Sequence, residues 1–276
     1  MVYYNFGKKF YIGFGQGKLP GNRQRIISSG QLQFVDRSMV NASFNIDRDF
    51  GLMFYFSDAL AGVDFNLKGA ITSGEGRNTL KSDNGLAYTG RVELMPFGQF
   101  LNDGDFSEGD LEREPTPKLS LAAGYSYNHK AIRNAGQRGT YMAEPRNIRT
   151  LHSDLLFKYM GWAWYAELIE RQVNDPFVLS ADQRPLHIHS GTGINTQLSY
   201  YFIHAWEIAG RYSWLKPSEK LSALEPLRRE FTLGVSKYIS KHKVKMQGNF
   251  TYGTHDLAAG SDKKFIHAQF QVELGI

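Results

Sequence analysis

Apolar and polar side chains alternate through most of this chain, and residues 265–276 show the pattern most plainly. From Ile266 onward every second position is apolar, and His267, Gln269 and Glu273 lie between them. Because the side chains of a β-strand point alternately to its two faces, this segment has one apolar and one polar face. Such segments of about ten residues recur along the chain, which is typical of transmembrane β-barrels. The sequence therefore predicts an all-β fold, with one antiparallel transmembrane β-barrel domain over residues 1–276.

The predicted strands and their connections follow a regular order. Long loops follow every second strand and most other connections are short, as in outer-membrane barrels, whose short turns face the periplasm. Residues 97–117 break this rule, because they form a long acidic segment on the predicted periplasmic side. A soluble β-sandwich also alternates, but aromatic residues near strand ends, such as Trp162 and Trp214, favour the barrel. About thirteen strands are expected: Val2–Phe6, Phe10–Gln16, Phe50–Phe56, Gly62–Thr72, Leu86–Met95, Lys118–Asn128, Arg149–Tyr159, Trp162–Arg171, Gly193–Ile203, Trp206–Leu215, Phe231–Ile239, Val244–Tyr252 and Phe265–Ile276.

The alternation also assigns side chains to the two faces of the wall. The apolar set predicted to face lipid includes Val63, Phe65, Leu119, Leu121, Phe231, Leu233, Phe270 and Val272. Asp64, Ser120, Thr232 and Gln271 are expected to face the lumen. The lumen-lining cations are Lys68, Arg91, Lys158, Arg171, Arg211 and Lys245. Acidic residues on the same face nearly cancel them: Asp64, Glu93, Asp154, Glu167, Glu207 and Glu273. The wall by itself does not predict strong anion selectivity.

Composition narrows the candidate functions. No run of about 18 apolar residues is present, so the sequence offers no transmembrane helix. The absence of cysteine excludes disulfides and thiol catalysis. The formal net charge is +5, yet no basic run or basic helical face indicates nucleic-acid binding. The positive surplus lies in loops, where it would steer anions, bind lipopolysaccharide phosphates, or simply be solvated: Arg77, Lys81, Arg133, Arg138, Arg146, Arg184 and Arg228.

Motifs near the beginning of the chain resemble a known family. Residues 15–20 read Gly-Gln-Gly-Lys-Leu-Pro, and residues 28–38 carry Ser-Ser before Phe-Val-Asp-Arg-Ser. Residues 41–42 are Asn-Ala, and residues 48–51 are Arg-Asp-Phe-Gly. In this order the motifs are similar to those of the phosphate-selective porin O/P family, in its Bacteroidetes-type members.

The resemblance implies a sixteen-stranded porin of the bacterial outer membrane, usually a homotrimer in contact with membrane lipid and lipopolysaccharide. It implies that residues 17–49 fold into the pore as a constriction loop. In the family this loop binds phosphate-like anions, and the matching residues here are Lys18, Arg23, Arg25, Ser28 and Ser29. The chain shows no signal peptide and about three strands fewer than the family. We therefore expect the sequence to lack its N-terminal part, and its first and last strands not to pair.

The arginines of the loop allow two interpretations. Arg23 and Arg25 either face the pore and set an anion preference, or pair with Asp36, Asp47 or Asp49 and fix the loop. Arg37 and Arg48 each neighbour an aspartate in sequence, so we expect them to hold the loop through carboxylates.

Metal and enzyme sites are poorly supported. His187 and His189 would lie on one strand face, but no acidic residue or third histidine is near them in sequence, so no metal site is predicted. The acidic residues of 97–117 do not follow the order of a calcium loop. No Gly-x-Ser-x-Gly motif is present, and His152 and Asp154 share a face without a partnered serine. The sequence thus predicts neither an enzyme nor a cofactor.

Together, these features predict an outer-membrane porin, a passive channel for small anions such as phosphate or for small polar solutes. The alternative is a non-conducting barrel that serves as a structural or accessory subunit of an outer-membrane complex.

Overall fold

The computed structural model describes residues 1–79, 85–257, 260 and 262–275. Lys81 and Ile276 lie outside this part of the chain. The described residues form a 13-stranded antiparallel sheet and a separate two-stranded hairpin. The strands are β1 (Val2–Asn5), β2 (Phe10–Lys18), β3 (Arg48–Leu60), β4 (Val63–Thr72), β5 (Ala87–Met95), β6 (Lys118–Arg133), β7 (Tyr141–Tyr159), β8 (Trp162–Gln172), β9 (Phe177–Leu179), β10 (Pro185–His187), β11 (Gly191–Tyr201), β12 (Trp206–Pro217), β13 (Leu227–Ser240), β14 (Val244–Asp256) and β15 (Lys263–Leu274).

The predicted all-β fold is confirmed, and each of the thirteen expected segments corresponds to a strand of the large sheet. Neighbours in the sheet are neighbours in sequence, except that β8 pairs with β11 across the hairpin β9–β10. The alternation did not predict this hairpin, because each of its strands has only three residues. Strands β6 and β7 also extend beyond the predicted bounds on the side of the long loops.

The two faces of the sheet differ in burial as the alternation predicts. Leu121 is 40% exposed, whereas its neighbour Ser120 is 1% exposed. In the same way, Phe231 is 55% exposed and Thr232 is 2% exposed. Leu121 is paired in register with Leu94 on one side and Leu155 on the other. The outer face thus carries rows of apolar side chains, and the inner face carries mostly polar ones.

The sheet wraps around the long segment between β2 and β3. This segment contains helices α1 (Arg23–Ile26) and α2 (Met39–Phe44) and a 3₁₀ turn, Ser29–Gln31. Helix α2 begins where the side chain of Ser38 accepts a hydrogen bond from the backbone N–H of Asn41, which satisfies one of the free donors of the first turn. The segment is therefore folded locally and is not an open connection.

Apolar clusters lie between this segment and the inner face of the wall. Met39, Val40 and Phe44 of α2 pack with Ile169 of β8 and Leu215 of β12. On the opposite side, Leu19 and Ile46 pack with Met53 of β3 and Ala70 of β4. Burial of these side chains removes apolar area from water, which gives the segment a reason to fold inward.

The edges of the large sheet are β1 and β15, and within the described ranges no ladder joins them. Both edges therefore keep one unpaired side in this structure. Among the described residues, no helix is long and apolar enough to cross a membrane.

Candidate constriction site

Arg23 of α1 faces the wall and is buried in a chain of alternating charges. Its Nε lies 2.6 Å from Asp154 of β7, and its Nη2 donates to the hydroxyl of Ser120 at 2.7 Å. Arg91 of β5 shares the same carboxylate at 2.6 Å and also pairs with Glu93 at 2.7 Å. Because every charge in this chain has an opposite neighbour, the group can be buried, and it fixes α1 to the wall.

The chain of charges ends at the edge of the lumen. Glu93 accepts from Lys68 of β4 at 2.6 Å, and Lys68 is partly exposed. Two of the predicted lumen cations, Arg91 and Lys68, are thus paired with carboxylates in this series of buried charges.

A second set of cations, Lys18, Arg25, Arg37 and Arg48, is named here the basic group. Arg25 pairs with Asp47. Burial alone would raise the pKa of Asp47, but the hydrogen bond and charge of Arg25 outweigh burial and lower it. The charges of Arg25, Arg37 and Arg48 all act on Lys18, so the group is close enough in space to be electrostatically coupled. All four side chains are only half-buried, and the group carries net positive charge.

The basic group surrounds the end of α1. Lys18 donates to the carbonyl oxygen of Ile26 at 2.6 Å, and Arg37 donates to those of Gln24 and Ile27, both at 2.8 Å. Carbonyls in the last turn of a helix lack partners within the helix, which makes them acceptors for cations. Ser28 and Ser29 follow directly and are exposed. Of the five predicted anion-site residues, the structure couples Lys18 and Arg25, leaves Ser28 and Ser29 exposed after α1, and directs Arg23 to the wall.

One expectation for the loop is wrong. Arg37 holds the loop through carbonyl oxygens and not through a carboxylate. Adjacency to Asp36 did not matter, because Asp36 points elsewhere and accepts from Gln269 of β15 at 2.5 Å. The acceptors of Arg37 are backbone carbonyls at the end of α1, and the sequence does not show that they lie close to Arg37.

The remaining predicted lumen cations also bind backbone carbonyls of the inner segments. Arg171 donates to the carbonyl of Phe44 at 2.9 Å, and Arg211 donates to that of Asp36 at 2.8 Å. Lys245 donates to the carbonyl of Leu32 at 2.9 Å. These cations face inward as predicted, but their donors are used to hold the loop between β2 and β3.

Residues 97–117 also fold inside the sheet, from the side of the short turns. Lys158 of β7 donates to the carbonyls of Gly104 and Gly109, each at 2.6 Å. Glu108 accepts from the backbone N–H of Gln33 and from the side chain of Gln24, both at 2.9 Å. The acidic segment therefore meets the loop between β2 and β3 within the lumen. The sequence predicts a periplasmic turn for this segment. The one feature that could have indicated its inward position is its length, which is unusual for a turn.

A cavity of about 500 Å³ lies between the two inner segments and strands β1 to β5. Lys18 and Lys68 line it together with Asp103 and Asp105 of the acidic segment. Burial raises the pKa of Asp105. The cavity is also lined by the aromatic rings of Tyr11 and Tyr55, which stack at 4.4 Å. The basic group thus borders open space on one side, through Lys18.

The 13-stranded antiparallel sheet matches the fold of solved outer-membrane porins and channels. OprB of Pseudomonas putida is similar with a TM-score of 0.60 and 8% identity, over 98% of this chain and 71% of that one. The outer-membrane channel DcaP of Acinetobacter baumannii has a TM-score of 0.50 and 10% identity, over 96% and 70% of the two chains. OmpT of Vibrio cholerae has a TM-score of 0.50 and 11% identity, over 96% and 76%.

At such identities the similarity shows the fold alone. No family model and no curated protein matches the sequence. The chain therefore has the fold of an outer-membrane porin or channel.

Proposed function

We propose that this protein is a diffusion channel of the bacterial outer membrane for small anions such as phosphate, or for small polar solutes. The observation that carries the proposal is the basic group, which lies on the loop between β2 and β3 and at the strand ends that flank it. A guanidinium or ammonium group beside open space replaces part of the hydration that an anion loses in a narrow passage. The apolar outer face supports a position in the membrane.

Each part of the site has a distinct role in this proposal. Lys18, Arg25, Arg37 and Arg48 supply positive charge, and the exposed hydroxyls of Ser28 and Ser29 donate to anion oxygens. Arg23 serves as an anchor, because its donors are occupied by Asp154, Ser120 and the carbonyl of Asp105.

The resemblance to the phosphate-selective porin O/P family supports phosphate as the anion. Membership of that family and a homotrimeric assembly remain parts of the proposal, as do contacts with lipopolysaccharide or with other outer-membrane subunits.

Reversal potentials in planar bilayers under a KCl gradient test the proposal. The double variant Lys18→Met with Arg48→Gln removes two charges of the basic group and leaves the Arg25–Asp47 pair in place. We expect the chloride-to-potassium permeability ratio to fall. The matched control is Lys130→Met with Arg184→Gln, which removes two charges from exposed positions, one in β6 and one between β9 and β10. An equal effect of both pairs would mean that the basic group does not set the selectivity.

A non-conducting accessory barrel is the second candidate. It is favoured by the contact of the two inner segments, which meet through Glu108, Gln24 and Gln33 inside the lumen. Single-channel recordings separate the two functions. The absence of conductance from correctly folded protein would favour the accessory role and exclude the channel.

A further inference from the structure

His187 and His189 meet Glu225 on the side of the long loops. His187 Nε2 lies 2.8 Å from Glu225 Oε1, and His189 Nδ1 lies 2.7 Å from the same oxygen. One ligand atom from each residue lies within 4.8 Å of the others. Glu225 is 36 residues from His189 in sequence, so only the fold joins the acidic ligand to the His-x-His pair.

The backbone around the two histidines is firmly held. Ile188, between them, is fully buried and packs with Ala131, Met142, Ile148 and Val178. Its N–H donates to the carbonyl of Pro176 at 2.8 Å, and the side chain of Asn134 donates to the carbonyl of His187 at 3.1 Å. Because Ile188 points into this cluster, its neighbours on either side both point away from the cluster, towards Glu225.

Glu225 is held just as firmly on the neighbouring loop. Its N–H donates to the carbonyl of Leu221 at 2.9 Å, and the side chain of Leu221 is fully buried. The two loops are also joined directly, since the N–H of Ser218 donates to the carbonyl of Ser190 at 2.8 Å. The three ligands therefore stand on a preformed support, which a metal site requires.

We propose that His187, His189 and Glu225 form a binding site for a late first-row divalent cation, with zinc as its most suitable ion. Two imidazoles and one carboxylate are a ligand set that zinc uses with a fourth, open position. A tetrahedral ion with bonds of about 2.0–2.1 Å separates its ligand atoms by about 3.3 Å. The histidine-to-glutamate distances need to widen by only about half an ångström to admit it.

The local charges also suit a cation, with one exception. The carboxylate of Glu225 supplies a negative charge in direct contact with both imidazoles. The exception is Arg228, whose charge opposes a cation and whose guanidinium donates to the hydroxyl of Ser43 at 3.1 Å. The half-exposed histidines leave the open position accessible to solvent.

Calorimetric titration of the full chain in detergent micelles with zinc chloride tests the site. The titration is carried out at about pH 7.5, because imidazole binds a metal only in its neutral form. We expect one equivalent of zinc to bind, and binding to weaken at least about tenfold in Glu225→Gln and in His189→Ala. His204→Ala is the matched control and should leave the affinity unchanged. His204 is an exposed histidine in the short turn between β11 and β12, at the other end of the strands.

Protection from diethyl pyrocarbonate keeps the proposal testable if a variant does not fold. In the unaltered protein, zinc should protect His187 and His189 from modification and leave His204 reactive. Absence of zinc binding, binding that persists in both ligand variants, or equal reactivity of all three histidines with and without zinc would each overturn the metal site. The cluster would then be a hydrogen-bonded link between two loops.

Discussion

Asp154 is the residue on which the anchoring of α1 depends. It accepts from Arg23 and from Arg91, and the side chains of all three are almost completely buried. Burial of an ion costs several kcal/mol unless a partner compensates the charge. Loss of the carboxylate charge therefore leaves two buried guanidinium groups, of which only Arg91 keeps a carboxylate partner, Glu93.

We expect Asp154→Asn to lower the free energy of unfolding by roughly 3–5 kcal/mol, the cost of removing one partner from a buried pair. Urea titration in detergent, followed by tryptophan fluorescence, measures this change. The matched control is Glu144→Gln, which breaks an exposed pair with Arg146 and should cost about 0–1 kcal/mol. Equal costs for the two variants would show that the buried chain of charges does not stabilise the fold.

At the scale of the strand, the outer face is defined by rows of paired apolar side chains. Leu121 stands in register between Leu94 and Leu155, in the middle of three neighbouring strands. If this face contacts lipid, a charge there has no water to solvate it and no partner across the ladder.

Leu121→Lys should destabilise the barrel by roughly 2–4 kcal/mol, the cost of a cation near the bilayer midplane. The measurement is the free energy of unfolding in liposomes. Leu121→Phe keeps the face apolar and should change it little. The interpretation of this face as lipid-exposed would be wrong if both variants were equally stable.

The loop between β2 and β3 is an element whose anchoring depends on pH through Asp47. The pKa of Asp47 is lowered below its ordinary value of 3.8, because the hydrogen bond and charge of Arg25 outweigh burial. A lowered pKa stabilises the folded state at every pH above the ordinary value, and this stability is lost as the pH falls through the lowered value.

Single-channel conductance should therefore be constant between about pH 7 and pH 5 and increase below about pH 4, when the loop loosens. Asp47→Asn should already show the loosened loop at neutral pH, without a further step in acid. An acid step of the same size in this variant would assign the effect to other carboxylates.

At the scale of the whole molecule, the wall charges are largely balanced inside the lumen, while the basic group is not. Lys68, Arg91 and Lys245 each have a carboxylate partner on the wall. In a channel built in this way, selectivity for anions comes from a few half-exposed cations. Salt screens the electric field of such cations.

The chloride-to-potassium permeability ratio should accordingly exceed one in about 0.1 M KCl and approach one in about 1 M KCl, as the screening length falls from about 10 Å to about 3 Å. Reversal potentials at several mean salt concentrations measure this dependence. A ratio that does not change with salt would indicate selection by size or by a buried site.

The sequence by itself determined the strands and their faces, because the alternation of side chains is a local property that the backbone geometry imposes on every strand. Leu121 and Ser120 could be assigned to opposite faces without any knowledge of their neighbours. Arg25, Ser28 and Ser29 could likewise be placed in one loop from their order, with Lys18 directly before it. The tertiary structure alone decided which charges meet. It paired Arg23 with Asp154, gave Arg37 the carbonyls at the end of α1, turned residues 97–117 into the lumen and brought Glu225 to His187 and His189. These contacts join residues far apart in sequence, and their partners are set by how the sheet curves, a property that no local pattern contains.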